Sequence, residues 1–368
     1  MFITDFRWED HESGQWTLSA KVDKEEIYFT FKGIARPDKS QLVGDAFVIS
    51  ALVPSMMRKE SLVIDPSVPV SQQLLEQLPK YQEVYRHWHP DLPEIAVEAE
   101  NQLKRDEGQL AACFYSGGVD SIYTVAKIKG QLDYLILVWG LDIAHRETDR
   151  WNKTVTLAQQ FADGLDLKLI QVKTNISNLR TRVADNHGAI LISNGISLGF
   201  KQLFVPASHS WEELFPWGSH PATDPLLSNG TTQTIHHGNV HRTEKTKAII
   251  ELKHGLDELR VCNVYSDYNC GKCEKCLRTS VALRLFEASS PSLPALDSVE
   301  RIRKLRLDNH SQHSFWRDNY RLAQQKGHAE LEGAIGEALM RYRRRNVLKE
   351  FDEFFFKGSF IKLKRRVL

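Results

Sequence analysis

Residues 109–121 read QLAACFYSGGVDS, and they indicate the class of fold to which the chain belongs. Its first seven residues are largely apolar, as expected of a strand that is buried on both faces of a sheet. The residues that follow, from about 120 to 129, have the pattern of a helix. Between them, Gly117 and Gly118 allow the backbone to turn tightly and to approach a ligand, because neither carries a Cβ atom. The stretch therefore predicts a strand, a glycine turn and a helix.

The same alternation continues downstream of this unit. We predict further strands at residues 134–139, 167–172 and 202–207, with an amphipathic helix that ends near residue 166 and another helix at 189–199. Mostly apolar strands that alternate with helices form a parallel sheet covered on both faces. The sequence thus predicts a doubly wound α/β domain. Ligands of such sheets bind at the carboxyl ends of the strands, which is where the turn at Ser116 lies.

These patterns divide the chain into three regions. Residues 1–100 are predicted to form a β-rich N-terminal domain, residues 105–290 the α/β domain, and residues 291–368 a helical C-terminal extension. In the first region, strands are expected at 16–22, 26–31, 45–52 and 60–64, and a helix at 71–87. Residues 208–244 are expected to be loop-rich, and a connection of this length usually has a function of its own.

The composition is that of an ordinary globular protein. Of 368 residues 42% are hydrophobic, which excludes collagen-like, disordered and small disulfide-rich classes. Lys plus Arg number 48 and Asp plus Glu 47, so no overall charge points to nucleic acid or membrane. The first ten residues, MFITDFRWED, lack the basic and apolar regions of a signal peptide. The most apolar window, 134–144, is too short to span a bilayer. We expect a soluble, cytoplasmic protein with no membrane partner.

The glycine turn has the features of an anion site. Free N–H groups at a helix start, together with the positive end of the helix dipole, bind anions. Ser116 and Ser121 add hydroxyl donors, and Asp120 is placed to hold a magnesium ion beside phosphates. The turn is neither a Walker A loop nor a G-x-G-x-x-G turn. The alternative is a plain strand-to-helix turn in which Ser116 or Asp120 only caps the helix.

Four of the five cysteines lie within 15 residues, at Cys262, Cys270, Cys273 and Cys276. In a cytosolic chain such a cluster indicates metal or redox chemistry rather than disulfides. Four thiolates around one ion make a tetrahedral zinc site, and Gly271 allows the tight turn between them. Since four cysteines leave no open position, a structural zinc is favoured. An iron–sulfur cluster is the alternative, but the fourth cysteine does not follow the third shortly as in ferredoxin-type runs.

The hexapeptide of the turn resembles the pyrophosphate loop, SGGxDS, of the ATP-pyrophosphatase superfamily. Members have an adenine-nucleotide α-hydrolase (HUP-like) fold, cleave ATP between its α and β phosphates, and attach AMP to an oxygen that a nitrogen or sulfur nucleophile then displaces. The resemblance implies that ATP and Mg²⁺ bind here. It assigns the phosphates and Mg²⁺ to Ser116, Gly117, Gly118, Val119, Asp120 and Ser121, and the adenine to the end of the next strand, around Val138, Trp139 and Gly140.

Together with the four cysteines, and Arg278 two residues after the last, residues 105–290 are similar to the 7-cyano-7-deazaguanine synthase family. That resemblance implies ATP-dependent activation of 7-carboxy-7-deazaguanine, addition of ammonia, and dehydration of the amide to a nitrile. Extended relatives occur in anti-phage defence systems, where a similar enzyme couples the carboxylate to a protein amine. Two segments depart from the family. Residues 186–188, Asn-His-Gly, replace an Arg-Asn pair, and residues 219–225 replace the family's substrate segment. Substrate choice is therefore open.

The insert at 208–247 supplies further candidates. With Asp120, we consider Asp224, Arg242 and Lys245 the best catalytic candidates, because a cation near the α-phosphate stabilises the charge of departing pyrophosphate. Lys247 is a further candidate for substrate or leaving-group contacts, and the alternative for each of the four is a solvated surface charge or, near Glu244, a helix cap. A metal site formed by His236, His237 and His241 is disfavoured, since no carboxylate stands at matching spacing. Two interpretations of the aromatic residues of the insert are open, a lid over a planar base or simple packing: Trp211, Phe215 and Trp217.

Residues 341–368 hold ten Lys or Arg against three acidic residues. This tail is either a contact for RNA or an acidic partner protein, or, as we favour, a helix whose apolar face docks on the body through Phe351, Phe354 and Phe355. Two other functions stay open: a tRNA-thiolating enzyme of the same superfamily, and a non-catalytic nucleotide-binding component of a multi-protein system. A homodimer is also open.

Overall fold

In the computed structural model, residues 1–12, 14–38, 42–104, 106–181, 183–252, 255–264 and 268–356 are described, without the side chains of 183–185 and 349–356. The strands of this part are β1 (Phe2–Asp10), β2 (Trp16–Val22), β3 (Glu25–Lys32), β4 (Leu62–Ile64), β5 (Val70–Ser71), β6 (Val97–Ala99), β7 (Gln102–Leu103), β8 (Ala111–Phe114), β9 (Tyr134–Trp139), β10 (Lys168–Thr174), β11 (Gln202–Pro206) and β12 (Gln233–His237). The α-helices are α1 (Asp45–Arg58), α2 (Gln72–Trp88), α3 (Val119–Ile128), α4 (Thr148–Asp163), α5 (Val183–Ser193), α6 (Arg242–Glu251), α7 (Glu274–Leu285), α8 (Glu300–Arg303), α9 (His310–Gln325) and α10 (Ala329–Phe356).

One large, mostly parallel sheet organises the described chain, in the order β12-β11-β8-β9-β10-β3-β2-β1-β4-β6. From β12 to β10 every neighbouring pair is parallel. The chain runs from β8 outward to β9 and β10, then returns to β11 on the other side of β8. The strand order therefore reverses between β8 and β11. In open α/β sheets the crevice at the carboxyl ends of such a pair is where ligands bind.

The central parallel strands, such as β8 and β11, are buried on both faces of the sheet, as their apolar sequences predicted. Along β8, Ala112 and Phe114 belong to one core, which includes α1, α2 and α5, while Cys113 belongs to the other, which includes α3, α4 and α6. Successive side chains of a strand point to opposite faces, so a strand with no polar position must be covered on each side. The prediction of an α/β protein with a largely parallel sheet is confirmed.

One predicted strand was wrong, and several strands of the described residues were not predicted, among them β1 and β12. Residues 45–52 are not a strand, because they form the first turns of α1, a helix in which residues 45–56 are all buried. A short apolar run does not distinguish a buried strand from a buried helix, since neither shows a polar face. Of the strands that were not predicted, β12 lies inside the 208–244 segment, which was expected to be loop-rich. Its sequence, QTIHH, is more polar because it lies at the edge of the sheet.

The N-terminal strands extend the same sheet. β3 pairs antiparallel with β10, with Phe31 opposite Val172, and β1, β2 and β3 form an antiparallel meander beyond it. Helix α1 then packs against α5 of the following region. The parallel strands and the N-terminal strands thus share one hydrogen-bonded ladder and one core.

The C-terminal helices form a third core with α7, centred on the buried Trp316 of α9. α9 also packs on α6 and α7, which brings it to the carboxyl end of the sheet. Within the described residues no helix is both long enough and apolar enough to cross a membrane. The side chains of Phe351, Phe354 and Phe355, expected to dock the tail, lie outside the described residues.

Candidate functional site

The turn between β8 and α3 is held by its own serines. Ser116 Oγ accepts a hydrogen bond from the Gly118 N–H at 3.3 Å, and Ser121 Oγ accepts from the Ser116 N–H at 3.2 Å while donating to the Gly118 carbonyl at 3.0 Å. Gly117 has a φ of +72°, and a Cβ there would lie 3.1 Å from the Glu258 carbonyl oxygen, so glycine is required. No side chain in the described structure caps α3. Its first N–H groups therefore remain available to an anion.

Two cations bind the carboxylate of Asp120 in the first turn of α3. Lys245 Nζ lies 2.8 Å from Oδ1 and Arg242 Nη1 lies 3.0 Å from Oδ2. The Lys245 side chain is wholly buried, and it also donates to the carbonyl of Ala207, just beyond β11. Lys245 thus spans the ends of β11 and α3, beside the point where the strand order reverses. The structure brings together three of the predicted catalytic residues.

The charges in this group reinforce one another. Burial opposes ionisation of Asp120, but Lys245 and Arg242 outweigh it and hold the pKa of the carboxyl well below its usual range. Burial likewise lowers the pKa of Lys245, an effect that Asp120 opposes. A buried ion pair of this kind is stable only while both partners are present, since either charge alone would lack compensation.

Two further buried cations lie near the turn and its Asp120, and neither was predicted as a site residue. Arg278 and Arg260 are only 5% and 6% exposed. Burial lowers the pKa of Arg278 to about 10, with neighbouring Arg242 acting in the same direction. Arg278 Nε is buried with no hydrogen-bond partner in the described residues, although Glu274 lies 3.4 Å from Nη1. Buried donors are normally satisfied, so clustered cations with an unused donor indicate an anionic ligand.

Phe315 of α9 lies against Arg242, Arg278 and His209. The guanidinium carbon of Arg278 is 4.2 Å from the ring centroid, and that of Arg242 is 5.2 Å from it. The imidazole of His209 stacks on the same ring, with centroids 5.2 Å apart and planes 10° from parallel. Burial lowers the pKa of His209 to about 4, so this imidazole is neutral at neutral pH. No local pattern pointed to Phe315, because its contacts are distant in sequence.

Asp224 is not part of the Asp120 group. It is 1% exposed and accepts hydrogen bonds from Ser219 Oγ at 2.7 Å and from the His220 N–H at 3.2 Å, with His236 Nδ1 also 2.7 Å away. Its partner His236 alternates along β12 with His237, which contacts Thr124 of α3. Successive strand residues face opposite sides, so Asp224 lies on the face of the sheet away from α3.

The remaining candidates of the sequence analysis have other surroundings. Lys247 is 65% exposed and its ammonium is 3.9 Å from Glu251, as expected of a solvated surface charge. Trp139 stacks on Trp151, with centroids 5.2 Å apart, and donates to the Ala144 carbonyl. Gly140 has a φ of +109°, and a Cβ there would be 2.0 Å from a backbone oxygen. Because Trp151 stacks on Trp139, one face of the Trp139 ring is already covered and only the other could contact an adenine.

The four clustered cysteines converge in space. Their sulfurs lie within 4.8 Å of one another, with Cys270 and Cys276 3.9 Å apart and Cys273 and Cys262 3.8 Å apart. Tetrahedral bonds of about 2.3 Å place thiolates about 3.8 Å apart. None of these cysteines is in a disulfide, and Gly271 takes the left-handed turn, with a φ of +67°. The cluster could bind a metal such as zinc, and its spacing fits a single ion.

A short segment connects the cysteine cluster to the glycine turn. The Arg260 N–H donates to the Gly117 carbonyl at 2.7 Å, and Arg260 Nε donates to the Ser116 carbonyl at 3.0 Å. Two residues later, the N–H of Cys262 donates to Asn269 Oδ1, which also accepts from Val261. Arg260 thus fixes the backbone of the turn while the adjacent residues enter the cluster.

A second group of metal-type donors comprises Glu213, His241 and Asp318, all within 4.8 Å of one another. The expectation that no carboxylate stands at matching sequence spacing did not cover carboxylates from distant parts of the chain, which is where Glu213 and Asp318 come from. Glu213 accepts from Ser314 and from Arg317, and Asp318 accepts from the Arg242 N–H. The bonds to Glu213 join residues 211–213 to α9, and the bond to Asp318 joins α9 to the start of α6.

The aromatic residues of the insert divide into two environments. Trp211 is 66% exposed, whereas Phe215 and Trp217 pack on each other and on His209.

Comparisons of the chain with protein-family models, with curated proteins and with solved structures found no match.

Proposed function

We propose that this protein is an ATP-dependent enzyme that adenylates a small-molecule carboxylate, releases pyrophosphate, and passes the acyl group to a nitrogen nucleophile. The observation that carries the proposal is the Asp120 carboxylate held by buried Lys245 and by Arg242, at an uncapped helix start where the strand order reverses. Phosphate groups are the anions that such a site suits best, because they accept from backbone N–H groups and cations together.

In this proposal the turn residues bind the β and γ phosphates, and Asp120 with the serine hydroxyls would hold Mg²⁺. Magnesium supplies charge neutralisation on the phosphate oxygens. With Asp120 holding the metal, Lys245 and Arg242 would be free to bind phosphate oxygens. Arg278 adds a third cation, with one donor still unused. The cations then stabilise the charge that accumulates on departing pyrophosphate.

The chemistry proposed proceeds in two displacements. A substrate carboxylate oxygen attacks the α-phosphorus, the bond from that phosphorus to the bridging oxygen breaks, and pyrophosphate leaves with the electron pair. The lone pair of the nitrogen nucleophile then attacks the acyl carbon, AMP leaves with the electrons of the acyl C–O bond, and the nitrogen loses a proton. Rigid positioning of the reactants, rather than covalent participation by the protein, accounts for the rate.

Two features support the finer assignments within this proposal. Numbered by chain order, the parallel strands run 3-2-1-4-5 from β10 to β12, which is compatible with a Rossmann-like fold and with the adenine-nucleotide α-hydrolase (HUP-like) assignment. The four sulfurs lie close enough for one zinc ion, whereas an iron–sulfur cluster must fit several irons between its thiolates. The deazaguanine carboxylate, and ammonia or a protein amine as acceptor, come from the sequence resemblance.

The test is release of AMP and pyrophosphate from ATP by the zinc-loaded full-length protein, with and without 7-carboxy-7-deazaguanine. We expect release that depends on this compound and that Asp120→Ala abolishes. Asp149→Ala is the control, because Asp149 is also an aspartate in the first turn of a helix, α4, but is exposed. A wild-type protein that neither binds ATP nor cleaves it with any carboxylate would refute the proposal.

A further inference from the structure

The C-terminal region contributes directly to the cation group, although it lies outside the stretch that resembles a known family. Phe315 is 7% exposed and its ring is within 5.2 Å of the guanidinium carbons of both Arg242 and Arg278. These two arginines come from different helices, α6 and α7, and α9 is the element that touches both. The cation group is therefore incomplete without α9.

The two arginines need something to hold them together. They carry like charges, their side chains are 10% and 5% exposed, and Arg242 lowers the pKa of Arg278. Arg242 has Asp120 as a partner and Arg278 has Glu274, but each carboxylate lies on one arginine only, and the two guanidinium groups still repel each other. The face of an aromatic ring is negative and attracts a guanidinium, most strongly where water is excluded. A single phenyl ring can thus keep both cations in place before a ligand arrives.

α9 also fixes the backbone behind each guanidinium. The Asp318 carboxylate accepts from the Arg242 N–H at 3.1 Å, and the Asn319 amide donates to the Arg278 carbonyl at 2.9 Å. Residues 315, 318 and 319 are three and four positions apart, so they lie on one face of the helix. That face contacts both arginines through side chain and backbone.

We propose that Phe315 is a positioning residue of a phosphate-binding site, which holds Arg242 and Arg278 side by side so that both contact one pyrophosphate group. This inference rests on the proposed function, and it names the C-terminal helix α9 as part of the site. The ring does not touch the anion. Its role is to prepare the two cations, so that less conformational freedom is lost when pyrophosphate binds.

Substitutions at Phe315 can separate the electrostatic effect of the ring from the effect of its volume. Phe315→Leu and Phe315→Met keep an apolar side chain in place but remove the negative ring face, and Phe315→Tyr keeps the ring. We expect the Kd for inorganic pyrophosphate, measured calorimetrically with the full-length protein in Mg²⁺, to rise about 10-fold for Leu and Met. For Tyr we expect a change of less than about 3-fold. Phe286→Leu is the control, because this ring also faces a cation, Lys326, in the same C-terminal core.

Equal weakening in the Leu, Met and Tyr variants would overturn the inference, since a packing role alone then explains the loss. Wild-type affinity in both the Leu and Met variants would overturn it as well. Because two apolar replacements are used, a folding defect in one leaves the other to decide. A wild-type protein that binds neither pyrophosphate nor ATP would instead contradict the proposed function, and the inference with it.

Discussion

The ammonium group of Lys245 lies 2.8 Å from the carboxylate of Asp120, and the Lys245 side chain has no exposed surface. The two residues belong to different helices, α6 and α3, and they meet where β8 and β11 end. In this arrangement the Asp120 carboxylate takes the place on Lys245 and Arg242 that a phosphate takes in the proposed function. A ligand phosphate must therefore displace Asp120 from Lys245 and Arg242, or Asp120 must take another partner such as a metal ion.

Replacement of Asp120 by Asn tests this competition. The variant leaves Lys245 and Arg242 without a carboxylate, so we expect pyrophosphate to bind about 10-fold more tightly in the absence of Mg²⁺. We expect ATP cleavage in Mg²⁺ to fall at least 100-fold, since the proposed metal ligand is lost. Calorimetry in chelator and a pyrophosphate-release assay measure the two effects. Unchanged or weaker binding without Mg²⁺ would show that Asp120 does not compete with the ligand.

Lys245 and Lys247 make a matched pair on α6. Lys245→Met removes one of the two cations that bind the Asp120 carboxylate, and the loss of one partner of a buried charged hydrogen bond costs about 1–3 kcal/mol of the free energy of unfolding. Lys247 is 65% exposed, so Lys247→Met should change that free energy by less than about 0.5 kcal/mol. Urea denaturation at neutral pH measures both. Similar losses in the two variants would contradict the buried placement of Lys245.

Asp318 predicts a pH dependence of stability. Burial, then the nearby Glu213, raises the pKa of Asp318 to about 6, against about 3.9 in an unfolded chain. Between these values the folded state holds a proton that the unfolded state has lost. The stability that comes from protonated Asp318 is therefore fully present below about pH 4 and is lost as the pH rises towards 6.

The Asp318→Asn variant cannot titrate at this position. Relative to the wild type, we expect it to gain roughly 2 kcal/mol of unfolding free energy between pH 4 and pH 7. Asp308→Asn, at an exposed site on the loop before α9, is the control. Parallel stability profiles of Asp318→Asn and the wild type would show that this carboxyl does not titrate in that range.

Removing a metal from the cysteine cluster should also disturb the glycine turn, because Arg260 connects the two. We expect one zinc per chain by elemental analysis, and a thermal midpoint that falls when a chelator removes it. Because Arg260 bonds the carbonyls of Ser116 and Gly117 and lies two residues before Cys262, the Kd for pyrophosphate should rise about 10-fold or more. Cys270→Ser should reproduce both effects. Cys113→Ala is the control and should keep the zinc, because Cys113 lies in β8 and not in the cluster. A metal-free protein with the same thermal midpoint as the zinc-loaded protein would contradict a structural role for the metal.

Local patterns predicted the parts of the molecule that depend on nearby residues. The strand, glycine turn and helix at 109–121 and the strand at 134–139 were predicted because apolar runs and glycines act within a few residues. The four cysteines also lie close together in sequence, so their convergence was foreseeable. Residues 45–52 were predicted incorrectly, because a helix buried on every side has no polar face to reveal its period.

Contacts between distant residues could not be predicted in this way. The separation of Asp224 from Asp120 depends on which of His236 and His237 faces α3, and that parity is fixed by the pairing of β12 with β11. The role of Phe315 depends on α9 packing across α6 and α7. A weak signal did exist for Arg260, a cation between Leu259 and Val261 just before the cysteines, which is a position where a charge needs a partner.

The pairing of β3 with β10 has a consequence for any attempt to shorten the protein. If residues 1–100 were removed, β10 would become an open edge with unsatisfied N–H and C=O groups, and α5 would lose α1, against which it packs. The α/β region alone would then have an unpaired edge strand and an exposed apolar surface, and we expect it to aggregate when expressed. Truncation near residue 100, where the sequence pattern changes, should therefore fail, because strands from the first hundred residues pair with β10 and extend the sheet formed by the later residues.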